Sequence, residues 1–137
     1  MDKYIGTKLI EAEPAIRKNG KIYLEKEVPF IDQTFEKGYK VKYPDNYESW
    51  SPKDVFEEAY RKNGNLSFGM ALDMLKKKLF KGMRLPQWKP DVIIRIQFPD
   101  EHSKMTAPYL YVESRYGCIP WKETMIELFS EKWEVVE

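Results

Sequence analysis

Hydrophobic and polar positions change period along this chain, and the clearest period lies in its second half. Phe68, Ala71, Leu72, Leu75 and Leu79 recur at three- and four-residue intervals, which predicts a helix with one continuous apolar stripe packed on a sheet. Ser67 stands in the capping position before it, and Gly82 is predicted to end it. Residues 83–85 start a short strand. Residues 92–98 (VIIRIQF) alternate, with Val92, Ile94, Ile96 and Phe98 on one face that is predicted to be core. Residues 109–114 and 118–121 predict two antiparallel strands joined through Arg115, Tyr116 and Gly117, where the glycine can take positive φ. Residues 124–129 predict a short helix, and 133–136 a last strand. The sum is an α+β fold: an antiparallel β-sheet with helices packed on one face.

The first half is patterned differently. Residues 4–11 (YIGTKLIE) have a short strand-like pattern ended by Pro14, and residues 17–37 carry no regular period and are predicted to be irregular. Residues 39–43 (YKVKY) alternate; Pro44, Asp45 and Asn46 supply turn chemistry, and residues 47–50 complete a hairpin. Ser51-Pro52-Lys53-Asp54 then carries a helix start, with Ser51 as cap, Pro52 in the first turn and Asp54 at the positive end of the dipole. That helix is predicted to run to about Lys62, closed by Asn63-Gly64-Asn65. The expected organisation is an N-terminal extension of strand, hairpin and helix over residues 1–64, followed by an α+β domain over 65–137. No internal repeat or low-complexity tract interrupts either.

Composition narrows the functional classes. The 137 residues fit one domain with a smaller appendage, and 42% hydrophobic with 33% charged residues describe a folded globule. With 23 Lys and Arg against 22 Asp and Glu, the net charge of +1 exerts no global pull on nucleic acid or anionic membrane. The single cysteine, Cys118, cannot form an internal disulfide, no apolar run is long enough to cross a bilayer, and the N-terminus lacks a secretory h-region, so a cytoplasmic location is expected. Aromatic content is high, at 15%, and Trp50, Trp88, Trp121 and Trp133 all stand beside Pro, Ser or charged residues at segment edges, where rings often line clefts or interfaces.

Catalytic chemistry is sparse. His102, the only histidine, lies in a polar loop, and Cys118 has the context of a small strand residue. Metal-ligand spacing is absent, the seven glycines are scattered at turns, and Glu57-Glu58 and Asp100-Glu101 are adjacent pairs that point apart. One cationic cluster stands out: Lys76, Lys77, Lys78, Lys81, Arg84 and Lys89, with no acid between positions 76 and 89. The lysines up to Lys81 suit a helix C-terminus. Arg84 and Lys89 flank Trp88, an arrangement that fits either a stacked base with its phosphate or a structural cation–π pair.

Ordered C-terminal elements carry a family resemblance. They are Leu66-Ser67-Phe68-Gly69-Met70-Ala71-Leu72, Met83-Arg84-Leu85-Pro86-Gln87-Trp88, Pro108-Tyr109, Ile119-Pro120-Trp121 and Lys132-Trp133-Glu134-Val135-Val136. Together they resemble the second Thoeris anti-defence family of phage proteins, over residues 66–137. Residues 4–8 and 50–61 also look like a module found in phage proteins. The resemblance implies a non-catalytic homotetramer that sequesters cyclic nucleotide messengers, glycocyclic ADP-ribose or cyclic dinucleotides, without degrading them and without a cofactor. It implies ligand contacts at Trp88 and Trp121, with Thr124 and Glu127 as polar partners on the short helix; Arg84 and Lys89 complete the expected ligand-binding set. Residues 85–90 depart from the family's usual Arg-Lys-Gly-Trp-Asn-Gly, and Lys132 stands where an Asp usually precedes the last Trp. The sheet of residues 66–137 has few helices to cover it, so self-association is expected. No nucleic acid polymer or membrane is expected as partner. The alternative is a direct protein inhibitor of a defence nuclease, anti-CRISPR-like, acting through the first 62 residues or the rim around Trp50.

Overall fold

Asn19 and Gly20 both take left-handed dihedrals, φ 53° and 77°, and reverse the chain between strand β1 (Glu11–Lys18) and strand β2 (Lys21–Leu24). An Asn-Gly pair suits a two-residue hairpin because both central residues need positive φ. The computed structural model describes residues 1–137, which divide into two units, Met1–Arg61 and Lys62–Glu137. The first holds a four-stranded antiparallel sheet in the order β2-β1-β3-β4, with β3 spanning Glu36–Lys42 and β4 Glu48–Pro52. Helix α1 (Lys53–Ala59) follows directly, and Tyr39 of β3 stacks on its Phe56 with centroids 4.1 Å apart.

Several expectations for this unit need correction. Residues 4–10 belong to no strand, and Tyr4 and Ile5 are 91% and 98% exposed; an alternating pattern makes a strand only where a neighbour pairs with it. The strand starts at Glu11 and runs through Pro14. It tolerates the proline because β2 pairs only with Ala15 to Lys18, so at Pro14 one side of β1 faces no strand. Residues 17–37 are not irregular throughout: they hold the Asn19-Gly20 hairpin and one 3-10 turn, Glu25–Glu27. Ser51 does not cap α1, because β4 pairs Ser51 with Tyr39 and Pro52 with Gly38, holding both in the ladder. The helix ends at Ala59, where Tyr60 turns extended at φ −131°, and Gly64 (φ 99°) closes a separate turn.

Trp50 packs into this sheet. A Cβ on Gly38 would come within 2.2 Å of the Ser51 carbonyl oxygen and 2.6 Å of the Trp50 ring, so only glycine admits the indole there. The Trp50 Nε1 donates to the Ala15 carbonyl at 3.3 Å, and the Arg17 guanidinium lies 4.2 Å from the ring.

The second unit is a five-stranded antiparallel sheet in the order β8-β7-β6-β5-β9. Its strands are β5 (Gly82–Arg84), β6 (Ile93–Gln97), β7 (Tyr109–Ser114), β8 (Gly117–Pro120) and β9 (Glu134–Val136). Helix α2 (Phe68–Lys76) packs on β5, β6 and β9, burying Ala71, Met74 and Leu75 against Met83, Leu85, Ile94, Trp133 and Val135. Ser67 caps it, its side chain accepting from the Met70 N–H at 3.2 Å. Each deeply buried aliphatic side chain here contributes about 1.5–3 kcal/mol of transfer free energy. The fold is therefore α+β, and no helix is long and apolar enough to cross a membrane.

Lys78, not Gly82, terminates α2. It adopts φ 60°, and its N–H and that of Leu79 return to the Leu75 and Met74 carbonyls, both at 3.0 Å, a crossed pair that satisfies the open helix end. Leu79 is left outside the stripe and exposed. Gly82 serves β5, where a Cβ would come within 2.5 Å of Ile93 Cγ2. Phe98 lies past the end of β6, 39% exposed with the Lys78 ammonium 4.6 Å from its ring, so it is not core. Helix α2 makes its main contacts with β5, β6 and β9, toward the end of the sheet opposite β8.

Candidate functional site

Trp133 is the fixed point from which the site is built. Its main chain bonds Leu66 in both directions, at 3.0 and 3.1 Å, just before β9, and its side chain is completely buried. Its Nε1 donates to the Glu127 carbonyl at 2.9 Å, which ties it to helix α3 (Met125–Leu128). Three rings meet it at steep angles: Phe68 at 5.5 Å and 65°, Trp88 at 5.4 Å and 88°, and Trp121 at 6.2 Å and 86°. Edge-to-face pairs of this kind set a positive ring edge against a negative face and contribute about 0.5–1.5 kcal/mol each beyond burial.

Trp121 also stacks on Phe68, with centroids 5.7 Å apart at 29°, and these two rings open onto a cleft of about 850 Å³. Leu72, Pro108, Leu110 and Leu128 line it further, and Glu123 is the one charged residue in its lining. The Trp121 N–H donates to the Leu110 carbonyl at 3.0 Å, continuing the β7–β8 ladder beyond Pro120 and fixing the ring over β7. The volume suits a ligand of drug or nucleotide size, and the lining offers stacking surface with few polar groups.

Of the six site residues expected from sequence, Trp121 alone lines this cleft. Thr124 and Glu127 lie next to it on α3, engaged with each other. The Thr124 hydroxyl accepts from the Glu127 N–H at 3.2 Å, and Glu127 Oε1 accepts from the Thr124 N–H and hydroxyl, both at 2.9 Å. This reciprocal box caps a helix of a single turn. Trp88, Arg84 and Lys89 gather around a different feature, the turn closed by Trp88 N–H to the Leu85 carbonyl at 3.2 Å. Arg84 pairs with Glu134 at 3.0 Å and donates to the Trp88 and Lys89 carbonyls at 2.8 and 3.0 Å. Trp88 is half-buried and Lys89 exposed. The two groups share Trp133, which touches Trp88 on one hand and Trp121 and Glu127 on the other.

Sequence reasoning missed Phe68, Leu72, Leu110 and Glu123 as lining residues. Phe68 and Leu72 belong to the apolar stripe of α2, and a period of 3.6 does not separate a ring facing the core from one facing a cleft. The usable signal was the pairing of β7 with β8, which brings Pro108-Tyr109 and Pro120-Trp121 to the same end of the sheet. Elsewhere, His102 is an exposed loop residue 3.3 Å from Glu101. Asp100 in that loop is held below the usual carboxylate range by the His102 N–H and the Ser103 hydroxyl. No group of three or more His, Cys, Asp and Glu side chains is placed to hold a metal ion.

A helix-backed antiparallel sheet with an aromatic cleft between α2 and β7 defines the second unit as a small α+β domain. The chain belongs to the Tad2-like family: residues 66–136 match the Thoeris anti-defense 2-like domain, a span that includes every lining residue of the cleft and the whole Trp133 ring cluster. The domain is thus of the Thoeris anti-defence class. No curated protein matches the chain.

Proposed function

We propose that this is a phage anti-defence protein that captures a cyclic nucleotide messenger in the aromatic cleft and holds it intact, in the cytoplasm of the infected bacterium. The observation that carries this reading is the Phe68–Trp121 pair, two stacked rings at the wall of an open cleft within the family-matched domain. A purine base placed on such a wall gains stacking worth about 1–3 kcal/mol. Glu123 can accept bonds from a base amine or ribose hydroxyl. Thr124 and Glu127 support the wall by capping α3, while Lys89, on the Trp88 turn and outside the cleft lining, is assigned no contact with the messenger. Glycocyclic ADP-ribose and cyclic dinucleotides both combine these features.

Self-association belongs to the same reading. Ile126 and Phe129 are 81% and 80% exposed, with Met125 and Ile119 open beside the cleft, and this apolar surface suits a second copy of the chain, in a homotetramer. The protein-inhibitor alternative draws less support: the indole of Trp50 is half-buried and already engaged with Gly38, the Ala15 carbonyl and Arg17. The test is equilibrium dialysis of purified protein against glycocyclic ADP-ribose and a panel of cyclic dinucleotides, with light scattering for the oligomer. Retention of one messenger supports the reading. Retention of none, with a host protein captured in stoichiometric amount instead, rejects it.

A further inference from the structure

We infer that Arg84 is a positioning residue for the aromatic cleft: it sets the Trp88–Trp133–Trp121 ring series and does not itself touch the ligand. The inference rests on the cleft being the messenger site. Arg84 lies opposite Glu134 in the β5–β9 ladder, and its side chain is only 13% exposed. One guanidinium nitrogen is committed to the Glu134 carboxylate at 3.0 Å, and the other donates to two successive carbonyls, Trp88 at 2.8 Å and Lys89 at 3.0 Å. Its Nε is enclosed without a partner. An incoming phosphate would compete with the Glu134 carboxylate at one nitrogen and strip the Trp88 and Lys89 carbonyls of their donor at the other, so anion binding is opposed by what the group already does.

The clamp instead fixes a turn. Trp88 N–H closes on the Leu85 carbonyl at 3.2 Å, Val92 N–H closes on the Lys89 carbonyl at 2.9 Å, and Arg84 ties the two consecutive turns together from below their carbonyls. Leu85 is fully buried, which anchors the first turn at its start. The Trp88 indole is thereby held perpendicular to Trp133, which in turn stands perpendicular to Trp121 and bonds the α3 carbonyl of Glu127. Arginine is suited to this place because its planar fork reaches carboxylate and carbonyls at once; a lysine supplies charge without the fork.

The experiment uses full-length Arg84→Lys, read by near-ultraviolet circular dichroism of the indoles and by dialysis against glycocyclic ADP-ribose at several salt concentrations. The inference predicts a retained far-ultraviolet spectrum, a weakened indole band, and retention reduced by about tenfold, the scale of one weakened stacking contact. The salt dependence of retention is predicted to stay as in the parent protein, both in Arg84→Lys and in the charge-removing Arg84→Gln. An unchanged indole band in the folded variant overturns the inference. So does a loss of salt sensitivity in Arg84→Gln, which removes the charge that lysine keeps: retention that no longer weakens with salt marks a lost direct phosphate contact. If the parent protein retains no messenger, the sponge reading fails by itself and the indole band alone decides the role of Arg84. Should Arg84→Lys not fold, Glu134→Gln replaces it, since it removes the carboxylate that holds Arg84: a weakened indole band with weaker retention supports the relay, and an unchanged band or undiminished retention overturns it.

Discussion

The indole of Trp133 stands edge-on to that of Trp121, at 86° and 6.2 Å between centroids, while its Nε1 proton is spent on the Glu127 carbonyl. One completely buried side chain therefore joins the hydrophobic core, the cleft wall and the short helix beside it. Trp133→Ala is expected to cost about 3–5 kcal/mol, as large-to-small changes of buried aromatics do. Urea unfolding measures it, and a midpoint equal to the parent's would refute the central place given to this ring.

The capping box makes a smaller and more local claim. Thr124→Ala removes the hydroxyl that accepts from the Glu127 N–H, and is expected to lower stability by about 1 kcal/mol. Thr124→Ser keeps the acceptor and is expected to stay near the parent value. Thermal unfolding of the two variants side by side checks the difference.

In the first unit the sharpest constraint is Gly38. A methyl group there meets the Ser51 carbonyl oxygen at 2.2 Å, a backbone atom that cannot swing aside, with the Trp50 ring at 2.6 Å. Gly38→Ala is expected to destabilise this unit by about 1–3 kcal/mol through overpacking. Quenching or shift of Trp50 emission at a lower denaturant concentration would register it, whereas an unshifted transition would contradict the close approach.

Much of the second unit was legible beforehand, because its signals are local and redundant. Ser67 caps α2, Ile94 of β6 is core with Ile96 packed against it, and the β7–β8 hairpin turns at Arg115-Tyr116 with Gly117 at φ 119°, as residue patterns indicated, whereas Phe98 of the same face is exposed. The first unit misled where pattern and pairing part company. The alternating residues 4–10 found no strand to pair with, while Asn19-Gly20, a two-residue turn signal inside an unpatterned stretch, organised a hairpin. Helix ends were obscured for a related reason: Lys78 accepts a left-handed conformation because the crossed bonds to Leu75 and Met74 compensate it, and nothing in the identity of a lysine announces that. For the site, residue type singled out Trp121 as a ring at a segment edge, and it stands in the cleft wall; which partners share that cleft depends on strand register across β7 and β8.

Titration gives a test of the first unit that needs no ligand. Burial, followed by the hydrogen bond Tyr39 donates to Glu57 at 3.0 Å, raises the Tyr39 hydroxyl above its ordinary value of 10.0. The folded state thus prefers the protonated phenol; its contribution is fully present below the unfolded value and is lost as pH rises through the folded one. Spectrophotometric titration is expected to show one tyrosine ionising late, and Tyr39→Phe to remove that late step. A full set of tyrosines titrating together would contradict it.

The most direct test of the whole account is dialysis of parent protein and Trp121→Ala against glycocyclic ADP-ribose and cyclic dinucleotides, followed by heat release and mass spectrometry of the bound fraction. The account predicts that the parent returns one messenger at its original mass and that Trp121→Ala, still folded, retains it more weakly by about 1–3 kcal/mol. A released product of altered mass, or equal retention by the two proteins, would contradict it.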